Sequence, residues 1–114
     1  DAQLEDVLFK DCNLEGTLLV SAAFKGVRFD NCNLRGVSLE LADLKGAVFC
    51  RSDLTDANLQ GARLYGADFR GSTIDRMRVG AKELQGAIID STQAIQIVSF
   101  VGITVRDEEE SNAL

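Results

Sequence analysis

The sequence predicts an all-β solenoid, in which the chain winds into a coil whose sides are each five residues long. A bulky apolar residue recurs at every fifth position from Leu4 to Ile89, through eighteen consecutive repeats. A smaller residue stands two positions before it, as Ala42 stands before Leu44. A period of five matches neither the 3.6-residue turn of a helix nor the two-residue alternation of a strand, so it indicates a regular coil.

Glycine follows the same period. Eight of the ten glycines lie two positions after a large residue, as Gly46 follows Leu44. A corner with positive φ favours glycine, so these positions are predicted to be the corners of the coil. The chain has no proline, which agrees with a backbone ladder that needs its N–H groups.

The commonest form of the repeat is Ala-(Asp/Asn)-Leu-x-Gly, and residues 42–46 and 57–61 are close copies of it. This motif resembles the pentapeptide-repeat family, and the match covers about residues 2–91. The resemblance implies a right-handed quadrilateral β-solenoid in which four repeats form a coil of twenty residues. Residues 1–91 would then form about 4.5 coils.

Residues twenty positions apart should therefore lie in one column, since each coil pairs with the next at about 4.8 Å. Cys12 and Cys32 are related in this way, and the same spacing then brings Ser52 and Ser72. Four of the six phenylalanines also share it: Phe9, Phe29, Phe49 and Phe69.

The repeat weakens where Lys82 occupies a small inward position. Burying an unpaired ammonium is costly, so Gly80-Ala81-Lys82 is predicted to be a distorted corner that lets Lys82 reach solvent.

Residues 92–105 are predicted to cap the solenoid with a short helix and then a strand. Ser91 or Thr92 can cap the helix, with Asp90 near its N-terminus, and Gly102 suits its end. The β-branched stretch 103–105 is typical of a strand. Residues 106–114, which include four consecutive acids at 107–110, are predicted to be an acidic flexible tail.

The charge distribution and the cysteines indicate which class of partner and which cellular compartment the sequence favours. The net charge is −6, but residues 21–105 carry nine acids and ten bases. Such a balance argues against direct binding of nucleic acid. Cys12 and Cys32 are predicted to be buried, Cys50 to face outward, and all three to be reduced, which favours the cytoplasm.

No catalytic residue, cofactor or metal site is predicted. The chain has no histidine, and its three cysteines match no zinc pattern. Phosphate-loop and nucleophile-elbow motifs are also absent from the sequence. The apolar stretch 95–105 is too short to span a membrane, so no membrane partner is predicted.

Outward-facing apolar residues predict a protein partner, although a repeat also tolerates scattered surface residues of this kind. A helix of about ten residues cannot bury every apolar side chain of the C-terminal segment, so residues 93–105 are predicted to form a two-fold homodimer. A monomer kept apart by its acidic tail is the competing outcome. The predicted partner-binding residues are Leu8, Leu18, Val20, Leu41, Ile95, Val98, Phe100, Val101, Ile103 and Val105.

Two functions follow from these patterns. One is a non-catalytic scaffold for protein interactions. The other rests on residues 87–90, 93–94 and 102–105, which are similar to the ending of the quinolone-resistance (Qnr-type) members. That resemblance implies a DNA mimic that binds DNA gyrase or another topoisomerase and confers quinolone resistance. The near-neutral middle of the rod and the absence of loops depart from it.

Overall fold

The computed structural model describes residues 3–108. It contains three short strands and one helix: β1 (Leu8–Lys10), β2 (Arg28–Asp30), β3 (Val48–Cys50) and α1 (Ser91–Phe100). The strands form a parallel sheet in the order β1-β2-β3. Phe29 lies opposite Phe9 on one side and Phe49 on the other, so successive coils pair with an offset of twenty residues, as predicted.

Isolated parallel bridges repeat this offset around the rest of each coil. Asn13 pairs with Asn33, Leu18 with Ser38, and Ala23 with Asp43. The backbone turns through positive φ at five-residue intervals, for example at Gly36, Leu41 and Gly46. Each coil therefore has four sides, which we name after their outward residues in the first coil: the Gln3, Leu8, Asn13 and Leu18 sides.

The core is a narrow column inside these coils. Phe9, Phe29, Phe49 and Phe69 stack with ring centroids 5.2, 5.0 and 5.0 Å apart, which confirms the predicted phenylalanine column. Large residues of the middle coils are fully buried, whereas those of the first coil are half-buried. The first coil differs because only one of its two edges meets a neighbouring coil within the described residues.

A polar column runs along one inner corner and is fully hydrogen-bonded. Ser72 Oγ donates to the Phe49 carbonyl at 2.8 Å and accepts the Ser52 N–H at 3.1 Å. One coil earlier, Ser52 Oγ donates to the Phe29 carbonyl and accepts the Cys32 N–H. Because each hydroxyl both donates and accepts, serine can replace cysteine here without leaving a buried polar atom unpaired.

The predicted C-terminal strand is wrong, since residues 103–107 have no regular secondary structure. Gly102, at φ 85°, ends α1: its N–H donates to the Ser99 carbonyl, and the Ile103 N–H donates to the Val98 carbonyl at 3.0 Å. These bonds form a Schellman motif, which uses the Ile103 donor within the helix end. No bridge joins residues 103–105 to another part of the described chain.

The helix begins one or two residues earlier than predicted. Asp90 is its N-cap, rather than Ser91 or Thr92, and forms a capping box with Gln93. Lys82 is exposed in a turn over residues 81–86, as predicted. Of the predicted acidic tail, residues 109–114 lie outside the described residues, as do residues 1 and 2.

The cysteines depart in part from their predicted positions. Cys32 is buried, but Cys12 is half-buried because it lies on the uncovered first coil, and Cys50 is half-buried as well. Cys32 Sγ also donates to the Phe9 carbonyl at 3.3 Å, and burial raises the pKa of its thiol.

We therefore expect Cys32 to react with a thiol reagent at least about tenfold more slowly than Cys12 and Cys50, because the thiolate is the reactive form. Mass spectrometry of timed labelling under native conditions measures the three rates. Labelling in guanidinium chloride is the control, in which the rates should become similar. Equal native rates would contradict this burial pattern.

Candidate protein-interaction site

Gln93 fixes α1 to the end of the solenoid. Its side chain is 3% exposed, and its Nε2 donates to the carbonyls of Phe69 at 2.6 Å and Ser72 at 2.8 Å. Its Oε1 accepts the Asp90 N–H at 3.1 Å. The amide thus supplies the donors that a further coil would otherwise provide, and it closes the ladder where the solenoid ends.

Asp90 supplies an acceptor for a backbone N–H at the end of the solenoid that would otherwise be unpaired. Its Oδ1 accepts the Gln93 N–H and its Oδ2 accepts the Gly71 N–H, both at 2.9 Å. These bonds, that from Gly71 first, hold the pKa of Asp90 below its ordinary value of 3.8. One carboxylate therefore caps both the helix and the last regular coil.

Acid should loosen this cap. The folded state favours the ionised carboxylate, so its stabilisation is complete above pH 3.8 and is lost as the pH falls through the lower folded-state pKa. We expect amide-exchange protection of Gln93 to fall in that range, measured residue by residue by NMR. Asp90→Asn removes the titrating group and should abolish this step. If protection of Gln93 still falls with pH in Asp90→Asn, other carboxylates cause the loss.

This anchoring leaves an apolar C-terminal groove, lined by residues 95, 96, 99 and 102–105, with a cavity volume of about 580 Å³. Ile97 and Phe100 pack against the core, so the opposite side of α1 faces outward. Ile95, Ile103 and Val105 are 67%, 55% and 61% exposed. The structure thus brings these three predicted partner-binding residues together, while Val98, Phe100 and Val101 are half-buried.

The remaining predicted residues do not form one surface. Leu18, Val20 and Leu41 are exposed on the Leu18 side or its corner. Leu8 is exposed too, but it stands ten residues from Leu18 and therefore lies on the opposite side of a four-sided coil. Leu41 has φ 61°, a conformation that leucine rarely adopts, so neither its backbone nor its exposure to water favours leucine there.

A second surface was missed by the sequence analysis. Lys45, Arg63, Tyr65, Lys82 and Glu83 line an open cleft with a volume of about 440 Å³, here called the basic cleft. Two features of the sequence could have indicated this cleft: the single tyrosine of the chain and the lysine that interrupts the repeat at position 82.

In the described range 3–108, no group of three or more histidine, cysteine, aspartate or glutamate residues could hold a metal ion. No described helix is long and apolar enough to cross a membrane.

The family model for pentapeptide repeats matches residues 1–36 and 32–71, in eight copies. The chain belongs to the pentapeptide-repeat family. Pentapeptide-repeat proteins are generally non-catalytic structural repeat proteins. No curated protein matches this pentapeptide-repeat chain by sequence.

This chain is similar to two solved structures of pentapeptide-repeat and quinolone-resistance proteins. A pentapeptide repeat protein from the thylakoid lumen of Arabidopsis thaliana is 22% identical, with a TM-score of 0.55 over 93% of this chain and 83% of its own. That likeness shows the β-solenoid fold. QnrB1, a plasmid-mediated fluoroquinolone resistance protein, is 19% identical, with a TM-score of 0.36 over 93% of this chain and 73% of its own.

Proposed function

We propose that this pentapeptide-repeat chain is a non-catalytic rod that serves as a scaffold for protein interactions. The observation that carries the proposal is the C-terminal groove, where Ile95 of the anchored helix α1 and Ile103 and Val105 of the segment after it are exposed together. Exposed apolar residues that adjoin one another favour a protein contact over water. The exposed Leu18, Val20 and Leu41 offer a second contact surface.

The partner proposed for the groove is a second copy of the chain. A two-fold contact would bring each α1 and its following segment against the same elements of the other copy, so one apolar strip would cover another. We further propose a right-handed winding of about 4.5 coils, with residues 1–91 as the solenoid, 92–105 as cap and dimer segment, and 106–114 as acidic tail. The cysteines, free in the structure, support a cytoplasmic location.

Ile103→Asp should convert the dimer to a monomer, because it places a charge in the centre of the groove. Sedimentation velocity at micromolar concentration measures the mass of each variant. Ile103 suits this test better than Phe100, which packs against the core and whose replacement would disturb folding.

Leu41→Asp is the matched control. It makes the same kind of change at an αL corner, a conformation that Asp6, Asp11 and Asp56 already adopt. The dimer should survive this substitution. A dimer split by Leu41→Asp but not by Ile103→Asp would move the interface to the Leu18 side, and an unmodified chain that sediments as a monomer would refute dimerisation.

The alternative, a DNA-mimicking gyrase- or topoisomerase-binding protein that confers quinolone resistance, has less support. A DNA mimic needs a run of free carboxylates along the rod. Here four aspartates of the rod instead form ion pairs with arginine: Asp30, Asp53, Asp56 and Asp68. A gyrase supercoiling assay with and without a quinolone tests it directly, since protection would favour this alternative.

A further inference from the structure

The basic cleft concentrates positive charge that the protein does not neutralise. Among residues 3–108, four arginines each pair with an aspartate: Arg35, Arg51, Arg70 and Arg76. Several other basic residues, including Lys10, Lys25, Arg28 and Arg78, form no ion pair within 4.0 Å, and three more of this kind, Lys45, Arg63 and Lys82, line the same cleft. Three positive side chains thus share one cleft with a single carboxylate, that of Glu83.

Glu83 forms no ion pair within 4.0 Å with any of the three. Oε2 accepts the Gly61 N–H at 2.9 Å and Oε1 accepts the Gly80 N–H at 3.1 Å. These backbone donors, that of Gly61 first, lower the pKa of Glu83, and the nearby charge of Lys82 contributes, so it remains ionised. The residues that line the cleft therefore carry three positive charges and one negative charge, and Asp43, which forms a β-bridge with Arg63 across neighbouring coils and accepts the Lys45 N–H, lies beside them.

The cleft forms where the solenoid departs from its repeat. In the preceding coil the Leu41 N–H donates to the carbonyl of Gln60, nineteen residues later. The corresponding Gly61 N–H meets the carboxylate of Glu83 instead, because residues 81–86 form a turn that exposes Lys82. Departures from an otherwise regular pattern are expected at functional or strained sites.

Tyr65 gives the cleft an aromatic edge. Its side chain is 73% exposed, and its ring lies over Gly86, so closely that any Cβ at position 86 would meet the ring at 2.3 Å. Exposed tyrosine beside unpaired cations is typical of the residues that dominate the energy of protein contacts.

We propose that the basic cleft binds an extended acidic segment of a partner protein. Lys45, Arg63 and Lys82 belong to three successive coils, so they form a strip about 10 Å long at the usual strand spacing of about 4.8 Å. Alternate side chains of an extended peptide are about 7 Å apart, so two carboxylates can meet the strip at once. This inference rests on the proposed function as an interaction scaffold and names a partner chemistry for a second surface.

Hexaglutamate is the probe, and Tyr65 is the reporter. The chain has one tyrosine and no tryptophan, so its ultraviolet fluorescence comes from the cleft. Titration at low ionic strength should give a saturable change in emission, and the affinity should fall as salt is added. Arg63→Gln and Lys82→Gln should each weaken binding about fivefold or more, since each removes a charge-assisted contact.

Lys10→Gln is the control, because it removes the same charge from the exposed Leu8 side, and it should change the affinity less than about twofold. Absence of a saturable signal, or equal weakening by Lys10→Gln, would overturn the proposal. Tighter binding of a dT hexanucleotide than of hexaglutamate would overturn it in favour of nucleic acid. These outcomes leave the sedimentation test of the C-terminal groove unaffected, so the two proposals fail separately.

Discussion

Phe49→Ala is expected to lower the free energy of unfolding by about 3–5 kcal/mol. The Phe49 ring is fully buried and stacks between Phe29 and Phe69, with centroids 5.0 Å away on either side. Its removal would leave a cavity in the middle of a narrow core in which each coil packs against the coils next to it. Chemical denaturation followed by circular dichroism measures the loss.

Phe9→Ala is the matched comparison. Phe9 belongs to the same column, but it is half-buried and stacks on Phe29 alone within that column. Phe9→Ala should lower the free energy of unfolding by about 1–2 kcal/mol, since the Phe9 ring is already partly in solvent and the site can relax. Equal losses for the two substitutions would mean that burial in the column does not determine stability.

Gln93→Ala is expected to lower the free energy of unfolding by about 2–3 kcal/mol. It removes both donors from the carbonyls of Phe69 and Ser72, and the acceptor from the Asp90 N–H. The loss should appear first in α1, so hydrogen exchange of residues 91–100 should accelerate while the amides of the middle coils remain protected. Uniform acceleration throughout the chain would show that α1 is not a separate unit.

Gln93→Glu separates hydrogen bonding from shape, because the two side chains are nearly identical in size. A buried carboxylate cannot donate to the two carbonyls, so this variant should be less stable than Gln93→Ala near neutral pH. Its folded-state pKa would be raised, so stability should recover as the pH falls and the acid becomes protonated. Gln60→Glu, at an exposed position, is the control and should change stability by less than about 0.5 kcal/mol.

The regular part of the fold could be predicted from the sequence because every coil places the same kinds of residue in the core and at the corners. Phe29 and Phe49 occupy equivalent places, so periodicity alone predicts that their rings stack. Corner glycines such as Gly46 were predictable for the same reason. Non-glycine corners such as Leu41 were harder to predict, because leucine rarely adopts positive φ and its residue type therefore does not mark a corner.

The ends of the regular region could not be predicted in the same way. Asp90, Gln93 and Glu83 each replace a backbone partner that the next coil no longer supplies, and such contacts occur once rather than periodically. The pattern for residues 103–105 predicted a strand from side-chain type, but a strand also needs a free edge beside it. The basic cleft depends on one irregular turn, so only the interruption of the repeat at Lys82 could have indicated it.

The five-residue side gives this rod a property that globular domains lack: its surfaces can be re-aimed in quarter-turn steps. Inserting one repeat after Gly66 would keep every later large residue in phase with the core. It would also rotate everything downstream by ninety degrees relative to the Leu18 side. Inserting four repeats would add one full coil, so the downstream surfaces would face their original direction and the rod would be longer by about 4.8 Å. The position of a residue within the twenty-residue repeat therefore determines which side of the rod it faces, and so which binding surface it belongs to.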